Sequence, residues 1–266
     1  MFAQINHMAL ISHQYLLLGR FYDALFGLKT EQTKPQNSIG SSDGYVGIQF
    51  LPRRDGYVAG LDHFGMIVDD LEQVEERLPK YPPANMIKRP STRNFAAYSA
   101  NDPDGNRFDL SQKDSDSRKD IYALDQWDQE RYANLFAIRT LHPERVAEFY
   151  ADVFELTLLN RGPDDPNFRL TDGRVTLKIM PWNIADFEGM SIRRPGAEHI
   201  GFRVEDIEAF KTDVAVLAGA NTYLAPVQLG GSPEAEVRRK YFERSAGGKF
   251  QLTDPDGGWI DVTDEE

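Results

Sequence analysis

Two histidines and a carboxylate stand at matching places on strand-like segments of this chain, and their types suit one job. His7 lies in residues 5–12, INHMALIS, and His63 near the start of residues 61–74, LDHFGMIVDDLEQV. Asp109 lies in residues 107–112, RFDLSQ, and Gln49 in residues 45–51, YVGIQFL. Each falls on the face opposite the most apolar residues: His7 against Met8 and Leu10, Gln49 against Ile48 and Phe50, Asp109 against Phe108 and Leu110. Two imidazoles, a carboxylate and an amide oxygen form a borderline-to-hard donor set suited to Fe(II), Mn(II), Zn(II), Ni(II) or Co(II). Two His and one carboxylate with open positions let a ferrous ion hold substrate and dioxygen together. One divalent metal, Fe(II) first, is therefore the expected cofactor.

The segments that must position these groups are repeated. Residues 198–210, EHIGFRVEDIEAF, restate the His63 segment with His199 on the matching position (199 − 63 = 136). Residues 136–158 restate residues 8–30, placing Phe149-Tyr150 on Phe21-Tyr22 (149 − 21 = 128), and residues 175–181 restate 46–52. The turn DPDGN at 102–106 returns as DPDG at 254–257. The chain is thus four similar strand–helix–strands units in two pairs, with sites to be sought between units. In the first unit Leu17, Phe21, Leu25 and Phe26 share a helix face that ends at Gly27. In the second, Asp69 or Asp70 caps a helix whose stripe is Leu71, Val74 and Leu78. Residues 40–44 read as a turn and 95–100 as a strand. The Phe-Tyr pairs read as core contacts and the DPDG turns as structural punctuation.

The expected division is residues 1–112, a charged linker at 113–131, and residues 132–266. In the linker, Ile121, Leu124 and Trp127 are the residues that could pin it to a surface. The fourth unit is longer than the second by 16 residues, because its turns are 152 apart and its strands 136. That insertion falls near residues 229–248, around EAEVRRKYFER, and reads as a lid or as a solvated excursion.

The two halves differ in donors. The equivalents of His7, Gln49, His63 and Asp109 in the second half are Leu135, Lys178, His199 and Asp261. A leucine cannot ligate and a lysine is repelled by a cation, so a single metal belongs to the first half. His13 and His142 fall in strand-to-helix turns, where a surface or capping role is expected.

Composition narrows the partners. With 41% hydrophobic and 27% charged residues, the chain reads as a soluble globular protein. A net charge of −12 argues against nucleic acid, which needs a basic surface. The absence of cysteine excludes disulfides, iron–sulfur clusters and thiolate zinc sites. No signal peptide and no apolar run long enough to span a membrane are seen, so a cytoplasmic location is expected. The expected partner is a small-molecule substrate, with a homodimer left open as the assembly.

The pattern of His-strand, FY-bearing helix and DPDG-turn–carboxylate strand resembles the vicinal oxygen chelate superfamily over nearly the whole chain. That group includes glyoxalases, bleomycin-resistance proteins, methylmalonyl-CoA epimerases and extradiol dioxygenases. The resemblance implies an α+β fold of four βαβββ modules paired into two similar domains, each an open cup-shaped mixed sheet with helices outside. It also implies metal ligands on the first and last strands of paired modules, here His7, Gln49, His63 and Asp109. Four-module chains of this length look like extradiol dioxygenases, whose ferrous site usually lies in the second half with His, His and Glu. This chain departs from them: its donors are complete in the first half, and Asp109 stands where Glu is usual. Those enzymes also place an extra His and a Tyr beside the metal, and no His here matches. The tyrosine position is Ser99 in the first half and Gln251 in the second. Tyr98, the catalytic candidate, is one residue off and turned to the other face of a regular strand. The activities implied are extradiol cleavage of a catechol-like ring, isomerisation or lysis through an enediolate, or metal-free sequestration of a small ligand.

Overall fold

The computed structural model describes residues 1–30, 38–90, 94–113, 129–185, 195–228 and 230–265. The first half holds two units. One runs β1 (Ala3–Ser12), α1 (Tyr15–Phe26), β2 (Lys29–Thr30), β3 (Ile39–Ser42) and β4 (Gly47–Pro52). The other runs β5 (Gly60–Val68), α2 (Leu71–Arg77), β6 (Asn85–Lys88), β7 (Tyr98–Asn101) and β8 (Arg107–Gln112). Together they form one eight-stranded sheet in the order β2-β3-β4-β1-β5-β8-β7-β6. The first strands, β1 and β5, meet antiparallel at its centre, while β4 and β8 run parallel to them on either side. The four strands that carry the candidate donors are therefore neighbours.

Local chemistry explains the helix ends. Gly27 closes α1 in the left-handed conformation at φ 67°, which costs glycine little. Asp70 caps α2 by accepting from the backbone N–H of Glu72 and Gln73. Two expectations shift. Of residues 40–44, read as a turn, Asp43 and Gly44 do lie in the bend, but Ile39–Ser42 is strand β3, because pairing with β4 supplies the hydrogen bonds that its Gly-Ser sequence does not advertise. The strand read at 95–100 divides into a single 3₁₀ turn, Asn94–Ala96, and β7.

The second half repeats the plan with β9 (Tyr132–Thr140), α3 (Pro143–Phe154), β10 (Thr157–Leu158), β11 (Phe168–Thr171) and β12 (Thr176–Pro181). Then follow β13 (Gly196–Arg203), α4 (Ile207–Ala220), α5 (Pro233–Ser245), β14 (Phe250–Thr253) and β15 (Trp259–Thr263). Its seven strands lie in the order β10-β11-β12-β9-β13-β15-β14. In the fourth unit α5 occupies the chain position where the second unit has β6. Ser232 caps α5 through Ala235 N–H, Pro233 suits its first turn, and Glu234, Glu236 and Arg244 complement its dipole. Most of the expected linker, with Ile121, Leu124 and Trp127, lies outside the described residues. No helix among the described residues is long and apolar enough to cross a membrane.

One continuous apolar core joins the two sheets, with Phe26 stacked on Phe202 at 3.8 Å between ring centroids and Phe64 beside Phe136 at 5.0 Å. Buried aspartates cross-link the halves reciprocally. Tyr22 of α1 donates to Asp254 at 3.1 Å, and its repeat Tyr150 of α3 donates to Asp102 at 3.4 Å. Asp43 accepts from Ala133 N–H at 2.8 Å, and Asp172 accepts from Ile5 N–H at 2.7 Å. The DPDG turns and Phe-Tyr pairs thus do more than punctuate and pack: each pair reaches into the opposite half.

Candidate metal centre

Met8, Leu10, Ile48 and Phe50 face the core beneath α1, so alternation turns His7, Ala9, Gln49 and Leu51 to the other side. There the sheet encloses a cavity of ≈ 310 Å³, lined by His7, His63, Asp109 and Gln49 among others. Ligand atoms of His7, His63 and Asp109 all lie within 4.8 Å of one another. Asp109 Oδ2 is 3.2 Å from His63 Nε2 and 3.7 Å from His7 Nε2. These separations suit three ligands on one face of an ion with bonds near ~2.1 Å. All three residues are buried.

His7 reaches its place by lying across β5 at Gly65, its register partner. A Cβ built there would fall 1.8 Å from His7 Cε1, so the imidazole needs the glycine. Gln49 pairs with Ala9 as Asp109 pairs with Gly65, which keeps the fourth strand position facing the cavity. Tyr98 pairs with Leu110 and packs on the core side; it is not among the cavity-lining residues. The alternation that turns Ser99 toward the Asp109 side turns Tyr98 away, and the tyrosine that does line the cavity is Tyr57.

Two further residues orient the imidazoles. His7 Nδ1 lies 3.0 Å from Asn6 Oδ1, and His63 Nδ1 lies 2.6 Å from Asp62 Oδ2. With Nδ1–H donated to these oxygens, each Nε2 presents its lone pair to the common point. Strict alternation would put Asn6 and Asp62 on the far face. The β1–β5 register skips at both residues, between Ile5 and His7 and between Leu61 and His63, and such bulges turn a side chain beside its neighbour. The signal available in sequence was the acidic residue before each repeated histidine, Asp62-His63 and Glu198-His199.

Arginines complete the electrostatics. Arg89 donates to Asp109 Oδ1, leaving Oδ2 toward the histidines, and Arg107 donates to Asp62. Burial alone would raise the Asp109 carboxyl, but His63 and His7 outweigh it and hold it well below the usual carboxylate range. Burial likewise disfavours charge on His63, yet Asp109 and Asp62 raise its pKa. The carboxylate is ionised, the imidazoles are oriented and the three groups converge, which fits a divalent cation.

The second cup is filled. Leu135 and Lys178 stand where His7 and Gln49 stand in the first, and α5 packs into the space. Phe242 of α5 meets the buried His199 edge-on at 5.3 Å and stacks on Trp259 at 4.6 Å. Lys178 donates to Ser245 O, and Asp261 accepts from Gly247 N–H at 2.7 Å and from Gln251 at 3.0 Å. His199 Nδ1 is 2.9 Å from Glu198, which pairs with Arg139. The residues at ligand positions here anchor the chain around α5. The insertion therefore seats one ring, Phe242, in the second cup, while most of its helix stays on the solvent side.

No family model matches the sequence, and no curated protein matches it. Solved structures do match, and the fold is the one seen in two-domain glyoxalase and extradiol dioxygenase structures. A Mn(II)-bound glyoxalase from Novosphingobium aromaticivorans superposes with TM-score 0.66 at 13% identity, over 100% of this chain and 83% of that one. An extradiol ring-cleaving dioxygenase from B. fuscum superposes with TM-score 0.62 at 15% identity, over 100% and 72% of the two chains. A xylose isomerase-like TIM barrel/4-hydroxyphenylpyruvate dioxygenase fusion protein gives TM-score 0.61 at 13% identity, and this chain spans 49% of its length. At such identities the likeness shows the fold alone, and the chemistry must come from the site.

Proposed function

We propose that this chain is a metal-dependent enzyme that binds a small catechol-like substrate through two neighbouring oxygens, with dioxygenase-type ring cleavage as its reaction and Fe(II) as its metal. The observation that carries the reading is the convergence of buried His7, His63 and Asp109 on the wall of a cavity, where they would hold an ion from one side. Glyoxalase and dioxygenase structures of the same fold support it as analogy. The bound ion would supply Lewis acidity toward vicinal oxygens and a place for dioxygen. The chain's own part is positional. His7 and His63 are held as Nε2 donors by Asn6 and Asp62, and Arg89 occupies the Asp109 oxygen that faces away from them. Ala9, Ile11 and Phe95 give the cavity a dry wall against which a flat ring packs. Tyr57 is the cavity's phenol and its candidate proton carrier.

Gln49 favours a second reading. It faces the cavity from the fourth strand position, and as a fourth ligand it would leave less room for dioxygen and suit isomerisation or lysis through an enediolate. Anaerobic turnover would select that branch.

The first test is metal analysis of protein purified without added metal. The expected result is about one transition metal per chain, lost in His7→Ala and in His63→Ala. Protein that carries none, and gains no thermal stability from Fe(II), Mn(II) or Zn(II), would overturn both branches and leave a metal-free binding protein.

A further inference from the structure

The cavity lining holds more arginines than aspartates, although the chain as a whole carries −12. Arg54, Arg89 and Arg107 line it, against the carboxylates of Asp62 and Asp109. Arg89 and Arg107 are engaged with those two aspartates. Arg54 lines the cavity, is exposed and makes no ion pair among the described residues, so its charge is available to a substrate there.

The loop that carries Arg54 is built rather than loose. Arg53 N–H donates to Ser12 O at 2.9 Å, Arg53 Nε donates to Tyr57 O at 3.0 Å, and Tyr57 N–H donates to Arg54 O at 3.0 Å. Gly56 takes φ 84°, which lets the turn close. This turn presents Arg54 and Tyr57 over the cavity. The walls below it are apolar at Ile11, Leu51 and Phe95. The volume of ≈ 310 Å³ sits at the small end for ligand pockets and accommodates a single ring with a short substituent.

We infer that the substrate bears a carboxylate, received by Arg54 at the mouth while its vicinal oxygens face His7, His63 and Asp109. The inner end of this arrangement rests on the proposed metal-dependent reading; the outer end does not. An arginine fork matches a carboxylate in plane and charge, and the partly enclosed mouth strengthens the contact relative to open solvent.

The experiment is calorimetric titration of catechol, 3,4-dihydroxybenzoate and benzoate into the wild type and Arg54→Gln, each with and without Mn(II). In the Mn(II)-treated wild type, 3,4-dihydroxybenzoate is expected to bind roughly tenfold more tightly than catechol. Arg54→Gln should erase that gap while leaving catechol binding as it was, and Arg54→Lys should restore part of it. Benzoate, which has no vicinal oxygens, should bind the metal-free protein in an Arg54-dependent way. Equal binding of the two catechols in the wild type, or a gap that survives Arg54→Gln, overturns the inference. If Mn(II) fails to bind but benzoate still depends on Arg54, the metal-dependent reading falls and the carboxylate subsite stands. If Mn(II) binds and no carboxylate preference is seen, the subsite falls alone.

Discussion

The donors His7, His63 and Asp109 were legible because strand alternation and the repeat mark their faces, but their supports were not. Asn6 and Asp62 sit at register skips, where the alternation that identifies a face breaks down. Replacing Asp62 with Ala should weaken metal binding roughly 10–100-fold while leaving the fold intact, as metal titration would show, because the His63 ring loses the acceptor that fixes its tautomer. Gly65 makes a sharper prediction. A methyl group at that position overlaps the His7 imidazole, so Gly65→Ala should cost metal binding about as much as His7→Ala does. Metal uptake by Gly65→Ala equal to that of the wild type would show that His7 has room to move.

Among the elements, α5 is the one whose role the sequence concealed. Its run EAEVRRKYFER carries few apolar residues, and Phe242 alone of the helix is fully buried. Period arguments count apolar positions within a segment, so a helix that inserts one ring into a distant cup reads as solvated. Phe242→Ala removes that ring from between His199 and Trp259 and should destabilise the protein by about 3 kcal/mol, readable in thermal or denaturant unfolding. Metal content should be unchanged, since the candidate centre lies on the other sheet. A loss of metal on Phe242→Ala would show that the two cups are coupled.

At the scale of the molecule, the reciprocal tyrosine–aspartate contacts and the shared core make the halves one cooperative body, and a single unfolding transition is expected. Tyr22→Phe removes a donor from the buried Asp254 and should cost about 1–3 kcal/mol. The same carboxylates give a pH dependence. Burial pushes Asp43, Asp102 and Asp254 up to about 6 each, against the donors that favour their ionised forms. A raised folded pKa means that the stabilisation these groups bring is complete below their unfolded value near ~4 and is lost as pH rises through about 6. Asp254→Asn removes one such penalty, so its melting temperature relative to wild type should rise between pH 4.5 and pH 8. A difference that stays constant, or runs the other way, would contradict the burial argument.

The sequence by itself determined the repeat, the main strands and helices, the side of each strand that carries donors, and the loss of a ligand at Leu135. The elements and faces follow from periodicities of two and near four residues, and the repeat and Leu135 from matching one segment to another; none of these needs a folded partner. Tertiary structure decided what those periodicities do not encode. It brought Asp109 to His7 across a sequence separation of 102 (109 − 7) through the β1–β5–β8 register. It set Asn6 and Asp62 beside their histidines by bulging the strands, and sent Tyr98 to the core. It also seated Phe242 of α5 in the second cup. Convergence depends on sheet curvature and on pairing between distant segments, and the energy of both lies in contacts that no single segment contains.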